Sequence, residues 1–194
     1  NVRIIFTPQT VDIPLLVRET EHILVFAQHM DSLKVGRGIG SVLPEAIKEA
    51  GALGTLLNHA EKKLTMAEIE RTIQRANEVG LATLVCADNA EEAVQIAKMG
   101  PNVVLAEAPS SIGTGKRTTD DQEIKRINKL VAQIDPGIQV LHGGGISTEE
   151  DVYNVIKCGA DATGCTSGVI LAEDPLKKLE EMIAAMRKAW NEIH

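Results

Sequence analysis

Two side chains in this sequence have the types and settings for proton transfer at neutral pH. Glu107 closes the apolar run 102–107, and His59 follows the run 54–58 inside Asn58-His59-Ala60-Glu61. A carboxylate able to act as a base and an imidazole, each at the end of such a run, suit acid–base chemistry. Two later runs end in Gly143-Gly144-Gly145 and in Thr166-Ser167-Gly168. Glycine-rich turns admit close backbone approach, and amides at helix starts favour anions, so these turns suit a phosphate group. Each signal alone is weak. Glu107 before Pro109 could be an ordinary exposed glutamate, His59 a structural histidine, and the glycine triplet a tight turn.

These groups act together only if the runs bearing them are parallel strands. Short β-branched runs alternate with amphipathic segments along the whole chain, which predicts strands joined by helical crossovers. Strands are expected at residues 2–7, 23–28, 54–58, 81–86, 102–107, 138–142 and 160–165, seven in all. The clearest helices are expected at residues 66–79, 90–99, 120–134, 148–157 and 175–192, with a short one at 44–50. Acidic, Ser or Thr residues open several of them, and Gly80, Gly100, Gly137 and Gly159 act as stops. Residues 31–41, with Gly36, Gly38 and Gly40, read as a long loop. A βα series closes into a barrel or stays an open doubly wound sheet, and periodicity does not choose. In a barrel the groups after the strands share one rim, so a base, an imidazole and phosphate-binding amides would meet there.

The 194 residues are 44% hydrophobic but only 2% aromatic, so the core must be Ile, Val, Leu and Ala, in keeping with a single α/β domain over residues 1–194. The net charge is −7, with basic residues spread through the helices, and no nucleic-acid partner is expected. No run approaches the length of a membrane span and no signal peptide is read at the start, so no membrane partner and a cytoplasmic location are expected. Cys86, Cys158 and Cys165 are odd in number and widely spaced, which predicts reduced, buried thiols. His29 and His142 also sit at strand ends, but neither pairs with a carboxylate at metal spacing, so no metal is expected.

The motifs "NHAE", "LAEAP" followed by "IGTGK", "LHGGGIS" and "CTSGV" occur in the order found in triosephosphate isomerases, and almost the whole chain resembles that family. "FAQHMD" and "VLPEAIKEAGALGTLLNH" look archaeal, whereas "IGTGK" is closer to the bacterial and eukaryotic form. The resemblance implies a TIM (βα) barrel, truncated here to seven βα units. It implies an aldose-ketose isomerase of glycolysis and gluconeogenesis that needs no cofactor, acts on a phosphorylated three-carbon substrate and assembles as a homodimer or homotetramer. Glu107 would be the base and His59 the electrophile. The triosephosphate isomerases are the standing example of a neutral imidazole in that role, so it is carried over by resemblance. Backbone amides at Gly113, Gly144, Gly145, Ser167 and Gly168 would hold the phosphate, and residues 109–116 would form a lid with Gly113 and Gly115 as hinge. Family members commonly have tyrosine or cysteine at His142, which raises a role for it in substrate selection. Cys86 matches a family cysteine and reads as packing.

The sequence departs from the family in two places. Ala60 replaces a serine whose hydroxyl caps the following turn, at a typical cost of about 1 kcal/mol. The family's opening strand, with its Asn-x-Lys motif, is not found, and Asn1 cannot stand in for it. Loss of that lysine would lower activity by orders of magnitude unless Lys34, Arg37 or Lys116 replaces it, or unless the natural protein carries a further amino-terminal piece. Two unpaired sheet edges would then need a contracted barrel, an open barrel or a partner subunit. The alternative reading is therefore an impaired or silent homologue that binds phosphate ligands or serves assembly. A third, another sugar-phosphate isomerase or aldolase-type reaction, rests on fold analogy alone.

Overall fold

A computed structural model describes residues 2–194; Asn1 lies outside the described residues. The chain folds as two compact units, one of residues 3–86 with 99–102, the other of Val2, 87–98 and 103–194.

The first unit runs β1 (Ile4–Phe6), α1 (Ile13–Glu19), β2 (Ile23–Ala27), α2 (Pro44–Glu49), β3 (Gly54–Leu57), α3 (Met66–Val79) and β4 (Ala82–Ala87), whose last residue belongs to the second unit. The strands pair in parallel and in chain order, with Ile4 opposite Ile23, Phe26 opposite Gly54 and Gly54 opposite Ala82. Phe26 and Gly54 explain one another, since a Cβ on Gly54 would lie 2.4 Å from the Phe26 ring and 2.6 Å from the Ala82 carbonyl. Helix α3 begins where the Thr65 hydroxyl accepts from the Glu68 N–H and the Glu68 carboxylate accepts from the Thr65 N–H. Its Ile69, Ile73 and Ala76, spaced three and four apart, are buried. Arg75 leaves the same helix to fasten the long loop, donating from Nε to the Leu33 carbonyl at 3.1 Å and pairing with Glu45 and Glu78.

The second unit runs α4 (Ala90–Ala97), β5 (Val103–Ala106), α5 (Asp121–Ile134), β6 (Gln139–His142), α6 (Glu149–Lys157), β7 (Ala162–Thr163), α7 (Ser167–Ile170) and α8 (Pro175–Asn191). Its strands are also parallel and in chain order, with Val103 opposite Gln139 and Leu141 opposite Ala162. Asp120 caps α5 by accepting from the Glu123 N–H at 2.8 Å. The buried faces of α5 and α6 meet α8 through Ile124, Val152, Val155, Ile156, Met182 and Ala189, with no aromatic residue among the fully buried ones.

Seven parallel strands in chain order with helices between them make a TIM-barrel series of seven βα units. The expected strand at 160–165 is shorter, ending at Thr163, and the residues after it open α7, a helix without a legible periodicity. Helix α1, bounded by the 3-10 turn Thr10–Asp12 and by Thr20, was also not separately assigned from the sequence. Among the described residues no helix is long and apolar enough to cross a membrane.

Candidate active site

Glu107 follows β5, its N–H donating to the Ala87 carbonyl at 2.9 Å, which extends the strand ladder by one residue and aims the side chain off the strand end. The carboxylate lies against the turn after β6. A Cβ added to Gly143 would be 3.1 Å from Glu107 Oε1, and one on Gly144 would be 3.1 Å from Glu107 Cγ. A side chain at either glycine would require Glu107 to give way by a few tenths of an ångström. On its other side Glu107 borders a cavity of about 380 Å³, which Ala87, Asp88, Ala106, Thr119 and Asp120 also line.

The segment after Glu107 folds over the same turn. A 3-10 turn, Pro109–Ser111, leads into Gly113 and Gly115, both with positive φ, +71° and +65°. Ser111 is fully buried, donates to the Ala108 carbonyl at 2.7 Å and fills the space a Cβ on Gly144 would take. A Cβ on Gly145 would meet the Lys116 carbonyl oxygen at 2.0 Å, and the Ser147 hydroxyl donates to the Gly115 carbonyl at 2.9 Å. On the far side of the turn a Cβ on Gly168 would lie 2.6 Å from the Ile146 carbonyl, so Ser167 and Gly168, which open α7, pack against it too. The second unit therefore brings Glu107, Ser111, Lys116 and Gly168 against residues 143–147, while nothing lies within 4 Å of a Cβ built on Gly113. Sequence reading missed Ser111 and Ser147, because a serine in a loop carries no spacing signal until the facing backbone is known.

His59 belongs to the first unit, in the turn between β3 and α3. Its carbonyl accepts from the Lys62 N–H at 2.8 Å, its Nδ1 accepts from the Glu61 N–H at 3.3 Å, and the Glu61 carboxylate lies 3.5 Å away. A ring that accepts at Nδ1 carries its proton, when neutral, on Nε2. The expected helical turn after His59 is one hydrogen-bonded turn, and the first regular helix starts at Met66. Ala60 contributes no hydroxyl to it.

His142 is 2% exposed and its Nε2 donates to Asn128 Oδ1 on α5 at 2.7 Å, so the ring is committed to packing β6 on α5. Burial, with Arg117 adding to it, brings its pKa down to about 4. His29 is buried beside Asp31 at 3.3 Å. Burial lowers its pKa, and Lys62 works in the same direction against the carboxylate. Lys62 is thus the cation near this pair, one not weighed from the sequence, whereas Lys34, Arg37 and Lys116 are exposed. Cys86 and Cys158 are buried as expected, but Cys165 is exposed, because β7 stops two residues before it. Among the described residues no group of three or more His, Cys, Asp or Glu is placed to hold a metal ion.

Residues 1–186 match the triosephosphate isomerase family. The triosephosphate isomerase of Methanobacterium bryantii is 38% identical over 186 residues, 95% of this chain and 82% of that protein. That of Methanosarcina barkeri is 39% identical over 185 residues, 94% of this chain and 83% of that protein. That of Sulfurisphaera tokodaii is 41% identical over 167 residues, 85% of this chain and 72% of that protein. Similarity of this extent, over strands and site turns alike, makes the chain a member of the triosephosphate isomerase family.

Proposed function

We propose that the protein interconverts D-glyceraldehyde 3-phosphate and dihydroxyacetone phosphate as a single TIM-barrel domain, in glycolysis and gluconeogenesis. The observation that carries this reading is the seating of the Glu107 carboxylate against Gly143 and Gly144, beneath a segment packed on Gly144 and Gly145. On this reading Glu107 is the base, and the backbone amides of the turn beside it hold the phosphate.

Glu107 removes the proton from the carbon next to the substrate carbonyl, and the electron pair moves onto the carbonyl oxygen. His59 Nε2–H donates to that oxygen as its charge grows. Glu107 then returns the proton to the neighbouring carbon, while His59 gives its Nε2 proton to the former carbonyl oxygen and takes the hydroxyl proton from the adjacent oxygen, so the enediolate collapses to the isomer with every proton placed. The amides of Gly113, Gly144, Gly145, Ser167 and Gly168 hold the phosphate. Residues 109–116 cover the intermediate, excluding water and preventing loss of phosphate.

The test is steady-state isomerisation by the purified 194-residue chain beside Glu107→Gln, which keeps the shape and removes the base. Turnover in the first and a loss of about 10³-fold or more in the second supports the reading. No turnover by a folded chain removes it and leaves the silent, phosphate-binding alternative that the Ala60 change motivates.

A further inference from the structure

We propose that Asn58 is the positioning residue that fixes the ring of His59, through a left-handed backbone and a side chain tied at both ends. The inference rests on the reading of His59 as the electrophile.

Asn58 is the one non-glycine residue with positive φ among the described residues, at +58°. Side chains other than Asn and Asp rarely adopt that conformation, and strain of this kind gathers at functional turns. Its amide is 1% exposed and uses both of its functions. Nδ2 donates to the Cys86 carbonyl on β4 at 2.9 Å, and Oδ1 accepts from the Leu64 N–H at 3.0 Å. One end is thereby anchored to the sheet and the other to the last residue before the Thr65 cap. The five residues between are drawn into the tight turn in which the Glu61 N–H reaches His59 Nδ1. That bond selects the tautomer with its proton on Nε2 and stops the ring from rotating.

A glycine would meet the φ requirement at less strain, so backbone geometry alone does not call for asparagine. What asparagine adds is a donor and an acceptor in one short side chain. Asn58→Gly therefore leaves the backbone allowed and deletes both tethers, while Asn58→Asp keeps the acceptor toward Leu64 and loses the donor toward Cys86.

The experiment compares wild type, Asn58→Gly and Asn58→Asp by two readouts. The ¹⁵N resonances of the His59 ring report its tautomer without any substrate. Wild type is expected to show one Nε2–H tautomer and Asn58→Gly a mixture, with Asn58→Asp between them. In turnover, Asn58→Gly is expected to lower kcat by about 10²-fold, the effect of misplacing a catalytic group by about an ångström, while KM moves little. A lower melting temperature with an unchanged ring signature overturns the proposal, whatever happens to kcat, because it shows a purely structural residue. If wild type itself gives no turnover, the isomerase reading fails, and the ring signatures still decide the role of Asn58. Should Asn58→Gly fail to fold, the Asn58→Asp comparison carries the decision.

Discussion

Gly145→Ala isolates the contact between the segment 109–117 and the turn that it covers. Gly145 has φ +73°, and a Cβ there would stand 2.0 Å from the Lys116 carbonyl oxygen, 2.2 Å from its carbon and 2.6 Å from the Arg117 nitrogen. Close carbon–oxygen contacts settle at about 3.3 Å, so the Lys116 peptide must retreat by about 1.3 Å. A left-handed alanine adds about 1–2 kcal/mol of strain. In a chain of this size that lowers the melting temperature by about 2–8 °C. The kinetic effect should be larger, because a displacement of about 1 Å in a positioning element costs about 10²-fold. Steady-state kinetics should give a kcat/KM lower by that factor, with part of the loss in KM, since in the proposed site the Gly145 amide at this contact holds the phosphate. Gly113→Ala is the control: φ is +71° there, but nothing lies within 4 Å of the added carbon, so only strain is introduced. A Gly145→Ala protein with kcat/KM within about threefold of wild type would refute the reasoning, because uniform binding energy through this contact would then be negligible.

His142 should make stability depend on pH. Its folded pKa of about 4 lies below the unfolded value of 6.5, so the unfolded chain binds the extra proton between them. The stabilisation is complete above pH 6.5 and is lost as the pH falls toward 4, amounting to about 3 kcal/mol. Urea melts at several pH values should show a shallower acid loss in His142→Leu than in wild type, and His29 cancels in the difference. Arg75→Met strips partners from Glu45, Glu78 and the Leu33 carbonyl; a loss of about 1–3 kcal/mol is expected, read from the urea midpoint. Native protein treated with a thiol reagent should be modified first at Cys165, identified by peptide mass. The reaction should be slower than for a free cysteine, because the residue is exposed but its sulfur is partly covered, 3.8 Å from Met182 Sδ, and that partial desolvation raises its pKa.

The regular parts of this fold were legible because local signals agree with tertiary packing. Helix α3 has its capping box at Thr65 and Glu68 and its stop at Gly80, and its observed span, Met66–Val79, matches the expected one. Strand ends were less legible. The expected strand at 160–165 is interrupted by Asp161 and Gly164, and only Ala162 and Thr163 are in register with β6, opposite Leu141 and His142. Around the candidate site, residue types signalled Glu107, His59 and the glycines, because base, imidazole and flexible backbone are visible in the sequence. Ser111 and Ser147 were not visible, since their roles come from facing Gly144 and Gly115. The packing role of His142 was not legible, because a strand-end position does not reveal that Asn128, fourteen residues earlier, meets it on α5.

The central claim is that Glu107 carries a proton between two carbons. Isomerisation of glyceraldehyde 3-phosphate by this chain in deuterated water, followed by NMR, tests it directly. A carboxyl proton exchanges with solvent, so the account predicts dihydroxyacetone phosphate bearing deuterium on the newly protonated carbon, and no product with Glu107→Gln. Product formed wholly without deuterium, or formed equally well by Glu107→Gln, would contradict it.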